Sequence, residues 1–151
     1  MKTLFPKPCL GFTLIELAIV VLILGLLSTI ALPGYQNFLK QSRRTDAKAA
    51  LLNLQLAQEK FRSNCVQYAT GIHANTYACE ADGPYNLVGP EDSSNGYYHL
   101  SISQAGPTGY TLTATHTGLQ QQDSQCKTLS ISQAGVKSST NSHDLPTTDC
   151  W

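Results

Sequence analysis

The hydrophobic positions fall into three regimes along the chain. From Leu17 to Leu27 no side chain is polar, and with only Ser28 and Thr29 intervening the apolar run continues to Leu32. Phe12 to Leu32 matches the ~20 residues that a helix needs to cross a bilayer core. Beyond it the pattern changes to a single stripe. Ala47, Ala50, Leu51, Leu54, Ala57 and Phe61 recur at spacings of three and four, as on a helix that buries one face. The two regimes predict one long helix from Phe12 to about Asn64. Within it Gly25, Pro33 and Gly34 each weaken helix, by about 1 kcal/mol for a glycine and about 3 for proline, which predicts a bend or local unwinding between residues 25 and 34.

The third regime has period two. Tyr98, Leu100 and Ile102 alternate with His99, Ser101 and Ser103, and Tyr110, Leu112 and Ala114 alternate with threonines. Gly106-Pro107-Thr108-Gly109 between them reads as a turn, so the pair forms an antiparallel hairpin. A third strand is expected from Lys127 to Gln133, with Leu129 and Ile131 inward. Residues 65 to 96 carry Gly71, Gly83-Pro84, Gly89-Pro90 and Ser93-Ser94-Asn95-Gly96 and read as irregular. The tail from Val136 to Trp151 is rich in Ser and Thr and needs tying down.

Charge divides the chain in the same places. Formal net charge is zero over 151 residues. Residues 35 to 64 nevertheless hold six Lys and Arg against Asp46 and Glu59, a net +4, and residues 65 to 151 hold Lys127 and Lys137 against seven acids, a net −5. An acidic head argues against nucleic acid as a partner, because phosphate binding wants a basic patch.

Cysteine usage points to an oxidising compartment. Apart from Cys9, four cysteines remain: Cys65, Cys79, Cys126 and Cys150. Four allow three pairings. The local pairs Cys65 with Cys79 and Cys126 with Cys150 are preferred, since each closes a loop of modest length, with roughly 3 kcal/mol from each bridge. No C-x-x-C knuckle accompanies them and the four histidines stand alone, so neither a metal nor a cofactor is expected. No G-x-S-x-G, H-E-x-x-H or phosphate-loop motif is present, so the chain is not expected to be an enzyme.

One acid breaks the apolar run. A carboxylate near hydrocarbon costs on the order of 2.5 to 3.5 kcal/mol, so Glu16 needs a compensating partner. An uncleaved anchor or a signal peptide cut after Ala31 accounts for the hydrophobicity but not for Glu16. Gly11-Phe12-Thr13-Leu14-Ile15-Glu16 followed by the apolar run resembles the type IV pilins, whose prepilins carry a type III signal. Further matches run through Ala49-Ala50-Leu51-Leu52, Gln58-Glu59-Lys60-Phe61, Gly96-Tyr97-Tyr98-His99-Leu100, Gln122-Asp123 and the terminal Cys150-Trp151, and are most similar to PilE-class minor pilins.

The resemblance implies an α+β pilin fold: a long N-terminal helix packed on a small antiparallel sheet, with a disulfide-closed C-terminal loop. It divides the chain into a leader at 1–11, a membrane or filament-core helix at 12–34, an amphipathic helix at 35–64 and a head at 65–151. Prepilin peptidase would cut after Gly11, and Phe12 would become the methylated amino terminus. Glu16 would then pair with the Phe12 ammonium of a neighbouring subunit, since unpaired charge is prohibitive in an apolar bundle. Gly25, Pro33 and Gly34 would mark a stretch that loses helix on assembly. The implied partners are other pilin subunits, prepilin peptidase, the pilus assembly machinery and the inner membrane, with the head in the periplasm before assembly and outside the cell after it. The alternatives are a type II secretion pseudopilin and a DNA-binding or receptor-binding subunit at a pilus tip.

Overall fold

The computed structural model describes residues 12–80 and 83–151. One helix, α1, runs Leu14–Arg62 without interruption through Gly25, Pro33 and Gly34. Among the described residues seven strands follow: β1 (Gly71–His73), β2 (Ala78–Cys79), β3 (Tyr85–Val88), β4 (Tyr98–Ser103), β5 (Thr111–His116), β6 (Thr128–Ser132) and β7 (Lys137–Thr140), with a 3-10 helix at Gly118–Gln122 between β5 and β6. The chain divides into two units, the first ending at Phe38 and the second spanning Leu39–Trp151.

In the first unit every described residue is exposed, and its helix is long and apolar enough to cross a membrane. Leu14, Leu22, Leu26, Ile30 and Phe38 all present most of their side-chain surface to solvent. No residue from Phe12 to Phe38 is buried within this chain.

The second unit has a conventional core. From α1 the buried positions are Arg44, Ala47, Leu51, Leu54, Gln58 and Phe61, a run of alternating steps of three and four. They meet the inward face of a four-stranded antiparallel sheet ordered β4-β5-β6-β7. Tyr98, Leu100, Leu112, Ala114, Leu129 and Ile131 supply that face, and the register pairs Leu100 with Ala114 and Leu112 with Ile131. Each fully buried large aliphatic in this layer contributes about 1.5–3 kcal/mol. The strands alternate because the opposite face is wet: His99, Ser101 and Ser103 are exposed.

Both edges of this sheet are covered. On β4, Leu100 N–H donates to Glu91 O at 2.7 Å and Ser93 N–H to Tyr98 O at 2.8 Å. On β7, Thr140 bridges to Pro146 and Thr147 N–H donates to Ser139 O at 2.9 Å. Closed edges keep neighbouring heads from pairing strand to strand.

Residues 65 to 96 are more regular than their composition predicts. They form a second, three-stranded sheet ordered β1-β3-β2, with β1 parallel to β3 and β2 antiparallel to it. Strands of three, two and four residues are too short to show a period. The tail likewise contains β7, whose Lys-Ser-Ser-Thr sequence has no apolar residue to betray it.

A side-chain amide fixes the chain's exit from α1. Gln58 Nε2 donates to Ala69 O at 2.9 Å while its Oε1 accepts from Ala69 N–H at 2.9 Å, both buried. Glu59, one residue on, accepts from the hydroxyls of Tyr68 at 3.2 Å and Tyr110 at 3.1 Å. Bonding and burial together push the Tyr110 phenol well above its ordinary pKa, burial being the larger cause.

Candidate functional site: the helix start and the C-terminal clasp

Gly11 lies outside the described residues. Phe12 is 92% exposed, and Thr13 and Glu16 form a reciprocal cap at the start of α1. Thr13 N–H donates to Glu16 Oε2 at 2.9 Å, the Thr13 hydroxyl donates to the same oxygen at 2.8 Å, and Glu16 N–H donates back to Thr13 Oγ1 at 3.3 Å. This is the capping box of a Thr-x-x-Glu sequence, which satisfies helix N–H groups that have no carbonyl partner. Glu16 thus has a use inside its own chain, which the argument from its cost in hydrocarbon overlooked. The Thr-x-x-Glu spacing before an apolar run was the signal for it. Among the described residues Glu16 Oε1 has no hydrogen-bond partner, so the carboxylate keeps one oxygen for a further donor.

The two glycines of the apolar helix have no packing role within the chain. A Cβ built at Gly25 or at Gly34 would meet nothing within 4 Å.

Within the second unit, a buried polar cluster joins α1 to the C-terminal loop. Arg44, 6% exposed, donates from Nε to Asp123 Oδ2 at 2.7 Å and from Nη2 to Asp123 Oδ1 at 2.8 Å. Its guanidinium also reaches Gln125 Oε1 at 3.3 Å, with a longer contact of 3.5 Å to the Asp149 carbonyl. The bidentate fork suits arginine, and Asp123 raises its pKa further despite burial. Gln120, fully buried, donates from Nε2 to Asp123 Oδ2 at 3.0 Å, to the Tyr98 hydroxyl at 3.1 Å and to Lys40 O at 3.2 Å. Burial pushes the Tyr98 phenol up to about 12, against a smaller opposing effect of the Gln120 bond.

Cys126 is bonded to Cys150, at a sequence separation of 24, and Cys65 to Cys79 at a separation of 14. Cys126 and Cys150 are buried beside the Arg44 cluster, so disulfide and ion pair close the same loop. Trp151 folds back on the sheet: its Nε1–H donates to Ser138 O at 2.7 Å and Lys137 Nζ sits 5.0 Å from its ring centroid.

Two of the six cations counted in residues 35 to 64 are engaged within the chain. Arg44 is consumed inside its own head, and Arg43 stacks its guanidinium 4.8 Å from the Tyr97 ring centroid. Arg44 lies in phase with Ala47 and Leu51, three and seven residues before them, and that phase was the available sign that it faced the core.

A bare apolar helix with a capped acidic start, joined to a disulfide-closed head, is the arrangement on which comparison with known proteins bears. A family profile described as "Type IV minor pilin ComP, DNA uptake sequence receptor" matches residues 33–130. This chain belongs to the type IV pilin family. A second profile, "Prokaryotic N-terminal methylation motif", matches residues 6–32. The pilin is similar to the "Type IV major pilin protein PilA" of Myxococcus xanthus, 40% identical over 50% of this chain and 34% of that protein. It is also 31% identical to the "Type IV major fimbrial protein FimA" of Dichelobacter nodosus over 70% of this chain and 66% of that protein. The match thus spans about a third of one relative and just under two thirds of the other. A solved type IV pilin from Shewanella oneidensis aligns with 74% of this chain and 97% of its own, at 28% identity and a TM-score of 0.45.

Proposed function

We propose that this pilin is a structural subunit of a type IV pilus, of the minor class, which joins the filament through its apolar helix. The observation that carries the reading is the exposure of that helix from Phe12 to Phe38, in the same chain as a well-packed head. Apolar surface on that scale requires either a bilayer or sister helices to cover it. The membrane holds it before assembly, with the head in the periplasm, and the bundle of sister helices holds it afterwards. Prepilin peptidase cuts between Gly11 and Phe12 and the new amino terminus is methylated. The Phe12 ammonium of one copy then meets the uncommitted Glu16 oxygen of its neighbour. Gly25, Pro33 and Gly34 let the intervening turns unwind as the subunit leaves the bilayer. A secretion pseudopilin shares the anchor, but the profile matching residues 33–130 is described for a pilus subunit and favours that branch.

Two substitutions separate capping from pairing. Thr13→Val removes the local cap, worth about 1 kcal/mol, and is expected to leave incorporation into sheared filaments near the parent level. Glu16→Val is expected to abolish incorporation. Equal behaviour of the two variants would mean that Glu16 acts only as a cap. Quantifying this chain against the other subunits of the same filaments tests the minor assignment, for which a small fraction is expected.

The description of the matching profile supports a second reading, DNA capture by the head. Against it stands the net negative charge of residues 65 to 151. In its favour, the exposed Lys137 covers one face of Trp151 at the C-terminus, a cation and a ring together on the surface of the head. Binding of duplex DNA to the intact protein should weaken with salt and with Lys137→Ala. Failure to bind at low ionic strength excludes this reading and leaves the structural role intact.

A further inference from the structure

The turn Ser93-Ser94-Asn95-Gly96 carries a side chain that ties the head to α1. Asn95 Nδ2 donates to Asp46 Oδ1 at 3.0 Å, across 49 residues of sequence. Among the described residues Asp46 accepts no other side-chain hydrogen bond, and its Oδ2 is buried without a partner. The tie is therefore a single neutral amide facing a carboxylate. Around it the turn is held by Gly96 N–H to Ser93 O at 2.8 Å, Ser93 N–H to Tyr98 O at 2.8 Å and Tyr98 N–H to Ser93 Oγ at 3.1 Å.

We propose that Asn95 is a site of spontaneous deamidation, and that the reaction cuts this tie. Asn95 and Gly96 are both exposed, Gly96 has φ of +69°, and the space where its Cβ would stand is empty within 4 Å. With no side chain on the following residue, the Gly96 amide nitrogen can approach the Asn95 side-chain carbonyl carbon once the bond to Ser93 O opens. A bond forms between Gly96 N and Asn95 Cγ, the Gly96 N–H proton is lost to water, and the Cγ–Nδ2 bond breaks with release of ammonia. Water then opens the cyclic imide at either carbonyl, leaving an aspartyl or isoaspartyl linkage. The only co-reactant is water, and asparagine is among the thermolabile residues for this reason. The product is a carboxylate where Asp46 had its donor. Like charges at this separation repel, so the turn releases from α1 and the head gains one negative charge.

Asn141 provides an internal comparison. It is followed by Ser142, and its Oδ1 is engaged by the N–H groups of His143 at 2.9 Å and Leu145 at 3.0 Å. Intact detergent-solubilised chain, aged at neutral pH and mapped by peptide mass spectrometry, should convert at Asn95 severalfold faster than at Asn141. Gly96→Ala should slow that conversion, and Asn95→Gln should abolish it. Absence of conversion at Asn95 in the folded chain, when the urea-unfolded chain converts, would overturn the proposal. The loss of the tie is read separately by amide hydrogen exchange on the Asn95→Asp variant. Severalfold faster exchange at Ser93, Gly96 and Tyr98 is expected, and unchanged protection would show that the amide does not hold the turn.

Discussion

Arg44→Met removes the positive half of the buried pair without removing much volume. Asp123, 1% exposed, would retain only the Gln120 amide at 3.0 Å and the surrounding dipoles. Breaking such a pair from one side typically costs about 3–5 kcal/mol, because a buried charge is left uncompensated. A head of this size is stable by roughly 5–15 kcal/mol in total, so about a fifth or more of its stability is at stake. The corresponding fall in melting temperature is about 10–20 °C, at about 4 °C per kcal/mol. Thermal unfolding of the full chain in detergent can be followed by the near-ultraviolet signal of Trp151, the sole tryptophan, which lies beside the loop that Arg44 supports. The double variant Arg44→Met with Asp123→Leu should recover most of the loss, since neither charge then remains to be desolvated. A cost below about 1 kcal/mol for Arg44→Met, in the range of exposed pairs, would refute the view that this pair is buried and coupled.

Two further outcomes follow from the head's geometry. Replacing Cys126 and Cys150 by serine should lower stability by about 3 kcal/mol and increase Trp151 exposure to a soluble quencher; unchanged quenching would mean that the loop is held without the bridge. The pKa of His116 is lowered chiefly by burial, with Lys127 adding to the effect while Asp123 and the Gln120 carbonyl oppose it. The unfolded chain therefore binds the proton first as pH falls below about 6.5, and stability should decline there. His116→Phe should flatten that decline, whereas an identical acid dependence would remove His116 as its source.

The helix stripe and the three longer strands were legible because each repeats a period over several residues. Leu51, Leu54 and Phe61 announce a helical face, and Leu100 with Ile102 announces a strand face, before any contact is known. β1, β2 and β3 were hidden because two to four residues hold no period, and β7 because its side chains are all polar. The buried polar groups were the hardest to foresee. Arg44 beside Arg43 looks like stalk surface, and Gln58 beside Glu59 looks like a solvated face. Only their phase with Ala47, Leu51 and Phe61 distinguishes them. At the helix start, Thr13 and Glu16 spell a cap in plain sequence, yet the carboxylate's cost in hydrocarbon drew attention away from its nearer partner.

The account depends on a mature chain that begins at Phe12, because that amino terminus is what one copy offers to the Glu16 of the next. Intact-mass and terminal-peptide mass spectrometry of this chain recovered from surface filaments tests it most directly. The predicted result is a chain starting at Phe12 with a methylated amino group. A filament-borne chain that retains Gly11, or that starts elsewhere, would contradict it.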